Sequence, residues 1–267
     1  MFLHQVHNSI SGDVYNAYSY TAAEYAPHFH KSYELAYVAK GSAEYQIGSE
    51  QRHLGAGDFA LVSPYALHSF VVDGESEMWV VVFANSYVKT FSKLLSDTVG
   101  ETAFFTCEES TRHFFEEHMT MYHKGEVADI KSDEQLLMVK ACLYAVCSEY
   151  IRTVKRIPKS KNSDVLVQIL EYVSQNFQED ISLQSIARAL GYNYQYLSKI
   201  FNRTMNINFK TLVNHYRFEY ARQQLLNNPE KSISEIAFES GFQSIRSFNR
   251  IYREISGSTP NQSQRIP

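Results

Sequence analysis

The chain is poor in cysteine and tryptophan and carries no excess of positive charge. Its 267 residues include 3 Cys, 1 Trp and 6 Pro. Cys107, Cys142 and Cys147 are odd in number and lack the spacing of a zinc site or a C-x-x-C redox motif. A disulfide framework is therefore not what supports this fold, and reducing, cytoplasmic surroundings are expected. No run of about 18 apolar residues occurs, so no membrane-spanning helix is expected. Met1 to His4 lack the basic start and apolar stretch of a secretory signal. Lys and Arg number 25 against 29 Asp and Glu, a net charge of −4. Non-specific nucleic-acid binding grows with the number of phosphates neutralised, so charge alone does not drive it here.

That net charge hides a division. From residue 160 onward 12 Lys and Arg stand against 9 Asp and Glu, and before it 13 stand against 20. An acidic part is joined to a mildly basic one, the split expected of a two-function chain. Aromatics are plentiful, with 19 Tyr and 17 Phe. The length requires more than one domain.

Residues 1–84 alternate in polarity and are rich in β-branched and aromatic types. Strands are expected over Val14–Tyr20, Tyr33–Lys40, Ala43–Ile47, Asp58–Ser63 and Met78–Phe83, separated by turns at Gly41, Gly48, Gly57 and Gly74. This predicts a small all-β barrel or jelly roll. Over 85–157 the period changes. Tyr87–Leu95, Ser110–His123 and Ser132–Tyr150 read as helices. The last carries a broad apolar stripe through Leu136, Leu137, Val139, Lys140, Leu143, Tyr144, Val146 and Cys147, suited to packing on the barrel or to dimerisation. Arg152–Ser163 loses the apolar period, contains Pro158 and reads as a linker. Everything after about Asp164 is helical in pattern, and 158–267 is read as the last domain. The fold class expected is thus α+β and multidomain.

Two stretches of the last region repeat one device. In 183–204, Ser182 precedes a short helix that Gly191 ends. Asn193 caps a second helix with Leu197, Ile200 and Phe201 on its buried side. In 233–256, Ser232 and Glu235 have capping-box spacing, and Gly241 ends the first helix. Ser244 caps the next, which buries Phe248, Ile251 and Tyr252. Each is a helix-turn-helix, a shape that sets its second helix in a DNA major groove. Gln195, Tyr196, Ser198, Lys199, Asn202 and Arg203 remain for the exposed side of one helix, and Arg246, Ser247, Asn249 and Arg250 for the other. Arg, Lys, Asn and Gln suit hydrogen bonds to purine edges. Phe209–Leu226 is long enough to hold the two units about one DNA turn apart.

These residues resemble the DNA-binding domain of the AraC/XylS family of bacterial transcription regulators. The likeness runs from about Asp164 to Arg265. It rests on Ala187, Gly191, Leu197 and Phe201 in the first unit. In the second it rests on Ile236, Ala237, Gly241, Phe242, Ser244, Phe248, Arg250 and the Gly257 to Pro260 run. By this resemblance the base readers are Gln195, Ser198, Lys199, Arg246 and Arg250, with Asn193 and Ser244 placed for phosphates. The family usually has Gly where this chain has Asn206, and Tyr-Arg where this chain runs from Asn261 to Arg265. Asn tolerates the left-handed backbone, so the turn at Asn206 is expected to survive.

His28, His30 and Glu34, followed by Gly41 and later His68, form the second constellation. Positions 28 and 30 of a strand point the same way. With Glu34 and His68 they offer the imidazole and carboxylate ligands of a first-row metal site. The spacing is similar to the cupin barrel motifs, whose ligand positions these four residues occupy. It departs at Gly55 to Gly57, where cupins often have Pro. Three chemistries fit the same residues: hydrogen-bonding groups of a sensory pocket, ligands of a metal, or internal hydrogen bonds between strand ends. Tyr33, Tyr37, Tyr45, Trp79 and Phe83 could supply aromatic walls, Tyr37 and Trp79 foremost.

The resemblance implies a ligand-responsive, sequence-specific transcription regulator and not an enzyme. A cupin-like barrel would sense a small molecule, such as a sugar, through His28, His30, Glu34, His68, Tyr37 and Trp79. The helical segment would dimerise, and the last domain would bind double-stranded promoter DNA, with RNA polymerase as a further partner. No cofactor is required by this reading. The rival is a metal-dependent cupin enzyme fused to a DNA-binding domain, with the metal at the same four residues. A third reading is a constitutive DNA-binding protein whose barrel only assembles it.

Overall fold

A computed structural model describes residues 3–4, 14–119, 130, 132–205 and 207–264. The chain divides into two compact units that part between Lys159 and Ser160.

The strands are β1 (Leu3–His4), β2 (Tyr15–Tyr20), β3 (Ala23–Phe29), β4 (Tyr33–Lys40), β5 (Ser42–Ile47), β6 (Glu50–Gly55), β7 (Asp58–Val62), β8 (His68–Val72), β9 (Glu77–Phe83), β10 (Thr98–Gly100), β11 (Phe104–Thr106) and β12 (Arg156–Pro158). One five-stranded sheet runs in the order β1-β3-β8-β5-β6, and the other β11-β7-β4-β9-β2. Their facing sides share one core, formed by Ala36, Val38, Tyr45, Val62, Phe70, Val80 and Val82 among others.

The second sheet is covered on its other side as well. Tyr33, Leu35, Tyr37, Phe59, Trp79, Val81 and Phe83 point outward into a core completed by three helices. These are α1 (Lys89–Leu94), α2 (Glu109–Met119) and α3 (Asp133–Thr153). β4 and β9 are therefore buried on both faces, with Tyr33–Val38 and Met78–Phe83 all inaccessible and only Glu34 among them polar.

The helical segment after residue 84 thus shares a core and a compact unit with the barrel. Val139, Cys142, Leu143, Val146, Cys147 and Tyr150 are the buried side of α3, while Leu137 and Tyr144 are exposed. Arg152–Ser163 is not a free linker. Val154 is buried, and Arg156–Pro158 pairs antiparallel with Thr98–Gly100. Lys159 N–H also donates to the Asp97 carbonyl. The proline lies on a two-stranded ribbon, where an edge position needs no donor. The His123 end of the expected second helix lies outside the described residues; the helix runs Glu109–Met119.

β3 and β6 escaped the sequence pattern for physical reasons. β6 is an edge strand with a mostly exposed, polar sequence. β3 contains Pro27 and a register shift between Tyr25 and His28.

The second unit is all-helical: α4 (Lys161–Asn176), α5 (Leu183–Leu190), α6 (Tyr194–Met205), α7 (Phe209–Asn227), α8 (Ile233–Glu239), α9 (Ile245–Ser256) and α10 (Pro260–Gln264). The expected caps are in place. Ser182 with Ser185, and Ser232 with Glu235, form reciprocal capping boxes. Gly191 closes α5 at φ 73°. Asn206 and Arg265, where the family pattern departs, lie outside the described residues.

Candidate functional site

Two sites are built by these units. The first lies inside the barrel. β3 delivers His28, whose register partner on β8 is His68. His30 follows β3 directly, and Glu34 is the second residue of β4. All four side chains are buried, and one ligating atom from each lies within 4.8 Å of the others. Each imidazole is fixed by a backbone carbonyl. Nδ1 of His28 donates to Ala26, that of His30 to Ser32 and that of His68 to Ala66, each at 2.9 Å. A carbonyl only accepts, so Nδ1 carries a proton in each ring and Nε2 is the nitrogen turned toward the cluster.

Glu34 receives these rings. Its Oε2 lies 3.1 Å from His30 Nε2 and 3.4 Å from His68 Nε2. Tyr45 donates its hydroxyl to the other oxygen, Oε1. Burial alone pushes the Glu34 carboxyl up. The neighbouring His68 and His30 outweigh it and hold the group well below the usual carboxylate range. Burial, with His68 beside it, lowers His28 to about 3. Burial and the Glu34 charge push the Tyr45 phenol well above its ordinary value. The cluster is thus a buried carboxylate facing three fixed imidazoles.

Tyr37 and Trp79 do not belong to it. Both point out of the barrel into the helical core, where Tyr37 packs on Phe59, Trp79 and Phe115 and donates to Glu116. Trp79 donates Nε1–H to Glu77 at 2.6 Å. Strand parity explains the correction: Glu34 and Tyr37 differ by an odd number of residues and face opposite sides of β4. Tyr33 and Phe83 lie in the same outer core. Of the five aromatic candidates only Tyr45 faces the barrel interior. A cleft of about 160 Å³ on the first sheet shares Tyr45 with the cluster and is lined also by Tyr25, Pro27 and Phe70.

The second site is the pair of helix-turn-helix units. Asn193 Oδ1 accepts from the backbone of Gln195 at 2.8 Å and Tyr196 at 3.3 Å, starting α6. Leu197, Ile200 and Phe201 bury its inner side. This leaves Asn193, Gln195, Tyr196, Lys199, Asn202 and Arg203 exposed, with Ser198 half-buried. Ser244 caps α9 through the Ser247 backbone at 3.2 Å. Phe248, Ile251 and Tyr252 pack inward with Phe218 and Ile236. Ser244, Arg246, Asn249 and Arg250 are exposed, and Ser247 is half-buried. Arg250 Nη1 reaches Glu254 Oε2 at 3.1 Å, both on the open face. The turn before α9 is tight: Gly241 has φ +87°, and a Cβ there would lie 2.5 Å from the Gln178 carbonyl oxygen. Between the units, α7 has 19 residues and spans about 28 Å.

Two family models match the chain. An AraC-like ligand binding domain matches residues 14–139, and a helix-turn-helix domain matches 186–266. An uncharacterized HTH-type transcriptional regulator of Staphylococcus aureus is 25% identical over 240 residues. That match takes in 85% of this chain and 31% of that protein, so the chain spans about a third of such relatives. The Msm operon regulatory protein of Streptococcus mutans serotype c is 22% identical over 241 residues, covering 89% of this chain and 86% of that protein. Among solved structures, an apo ToxT variant of Vibrio cholerae superposes with a TM-score of 0.58 at 16% identity, covering 96% of this chain and 98% of its own. ToxT bound to an unsaturated fatty acid gives 0.56 at 17% identity, covering 94% of each chain. These structures share the two-domain fold, a β-rich domain followed by a helical one.

Proposed function

The chain belongs to the AraC family of transcription regulators, with an AraC-like ligand-binding domain and a helix-turn-helix DNA-binding domain, and on that premise we propose that it is a sequence-specific regulator whose promoter binding responds to a small molecule received at the His28–His30–Glu34–His68 cluster. The observation that carries this reading is the pairing of a buried polar cluster in one unit with two exposed, arginine- and lysine-bearing helices, α6 and α9, in the other. A sugar or similar hydroxyl-bearing metabolite suits a buried carboxylate and imidazoles, which pair with hydroxyl groups. The fatty acid named with ToxT makes an apolar acid the competing effector class.

The base readers in this reading are Gln195, Ser198 and Lys199 on α6 and Arg246 and Arg250 on α9. Tyr196, Arg203, Ser247 and Asn249 flank them, and Asn193 and Ser244 sit at helix N-termini against phosphates. The protein acts as a cytoplasmic homodimer, recruits RNA polymerase, and uses its barrel for sensing and not for catalysis. No described helix is long and apolar enough to cross a membrane. The effector acts by differential affinity for two states of the protein.

Affinity for promoter DNA, measured on the full chain with and without a panel of sugars and fatty acids, tests the reading. A shift with one class supports it. Unchanged affinity across the panel, with tight DNA binding retained, favours a constitutive regulator.

A further inference from the structure

We propose that Arg217 and Gln178 are positioning residues that fix α9 relative to α6, and with it the spacing of the two groove segments the protein accepts. One helix-turn-helix precedes α7 in sequence and the other follows it. α7 meets the first through Phe209, whose ring stands 5.6 Å from that of Phe201 on α6. It meets the second through Phe218, Ala221 and Leu225, which pack with Ile236, Phe248 and Tyr252. A single helix between two small bodies sets their distance but leaves each able to rotate about its own contact. A second tie beside the helix removes that freedom.

Residues 177–179, which follow α4, form such a tie. Phe177 is buried, with its ring centroid 5.9 Å from Tyr216 and 5.6 Å from Tyr220 of α7. Arg217 grips the segment from the same helix. Its Nε donates to the Phe177 carbonyl at 2.7 Å and its Nη2 to the Glu179 carbonyl at 2.8 Å. Gln178, between those two carbonyls, is bonded instead to the second unit. It donates Nε2–H to the carbonyl of Glu239, the last residue of α8, at 2.8 Å. Its backbone also lies so near Gly241 that a Cβ there would be 2.7 Å from the Gln178 Cα. One three-residue segment therefore joins the end of α4 to α7 and to the turn before α9.

The donor chosen suits a brace. Guanidinium is a planar fork, so two bonds from it fix direction as well as position, which an ammonium group cannot do. Arg217 lies on α7 and Gln178 precedes α5, so neither belongs to a recognition helix. Their effect on DNA runs through the placing of α6 and α9. Successive base pairs are about 3.4 Å apart along the duplex, so a shift of that size changes the register by one pair. The brace stands on the geometry of this unit alone. Its consequence for DNA rests on the function proposed above.

Two measurements on the full chain test the brace and its consequence separately. Spin labels at Asn202→Cys on α6 and Arg253→Cys on α9, both exposed positions, report the distance between the helices without DNA. Half-buried Cys107 is replaced by Ser, and Cys142 and Cys147 are buried. One narrow distance is expected in this background, and a broader distribution in Arg217→Met and in Gln178→Met. Gln178 is exposed, so its variant carries the test if Arg217→Met does not fold. Duplexes carrying a site selected by the protein, with one base pair inserted or removed between its two segments, then read spacing. Wild-type affinity should fall about tenfold for one pair, because one helix loses its base contacts. The variants should bind the unaltered site more weakly yet lose less than about threefold on the same change, since a freer helix can follow its groove. Arg217→Lys keeps the charge without the fork and should lie between. Unfolding alone would instead weaken every spacing alike. A distance as narrow as wild type in every folded variant would overturn the proposal, as would a broad one in the wild-type background. So would variants that keep the wild-type spacing penalty. Distances that broaden in the variants while wild-type binding ignores spacing would uphold the brace and refute the two-groove reading.

Discussion

His28 and His68 face each other as a register pair of β3 and β8, with ring centroids 4.1 Å apart. Forty residues separate them in sequence. The rings are tilted at 55° to each other, and burial with the neighbouring ring disfavours the charged form of His28. The position of the pair within the cluster thus depends on the pairing of β3 with β8.

Tyr45→Phe should destabilise the first unit by about 1–3 kcal/mol, because Glu34 Oε1 then loses its buried donor. Trp79 is the single tryptophan and lies in that unit, so its fluorescence follows this unfolding alone. A denaturation midpoint equal to wild type would show that water replaces the hydroxyl.

Gly241→Ala should cost clearly more than Gly191→Ala. Both hold left-handed backbone, at φ +87° and +73°, worth roughly 1–2 kcal/mol to an L-residue. Only Gly241 also presses on the Gln178 backbone, while Gly191 has nothing within 4 Å. Thermal loss of helix signal ranks the two variants. Equal midpoints would refute the close approach as the cause.

The DNA-binding unit was more legible in the sequence than the sensor. Gly191, Gly241, Ser182, Ser232 and Ser244 are local signals, and each sits where its spacing placed it. The four cluster residues were also legible as a motif, although only the fold shows Ala26, Ser32 and Ala66 holding the rings. Tyr37 and Trp79 misled because aromatic residues on a doubly buried strand look alike from either side. Counting parity from Glu34 would have sent Tyr37 outward. Tyr45 could have been singled out only with β5 placed against β8, a long-range pairing that no local pattern contains.

Lys199→Ala and Arg246→Ala should each weaken binding to the preferred DNA site by about 1–3 kcal/mol if the residue reads a base. A residue that meets phosphate should weaken all sequences alike and flatten the salt dependence. Competition titrations at two salt concentrations separate the roles. No change in either variant would mean that α6 and α9 present other faces to DNA.

Glu254→Gln should leave stability within about 0.5 kcal/mol, since its pair with Arg250 is exposed. It should raise DNA affinity, because it removes a negative charge from the α9 face and frees the guanidinium. Arg250→Ala should lower affinity. A weaker complex in Glu254→Gln would show that Glu254 positions Arg250 and does not compete with DNA for it.

With two helix-turn-helix units, one chain is expected to read two successive major-groove segments. Hydroxyl-radical footprinting of the full chain, on a site selected by the protein from random duplexes, tests it most directly. Each protein copy should protect two patches on one face of the DNA, centred about one helical turn apart, and variants in α6 and α9 should each erase a different patch. A single patch per copy, or two patches that both survive changes to one of the helices, would contradict it.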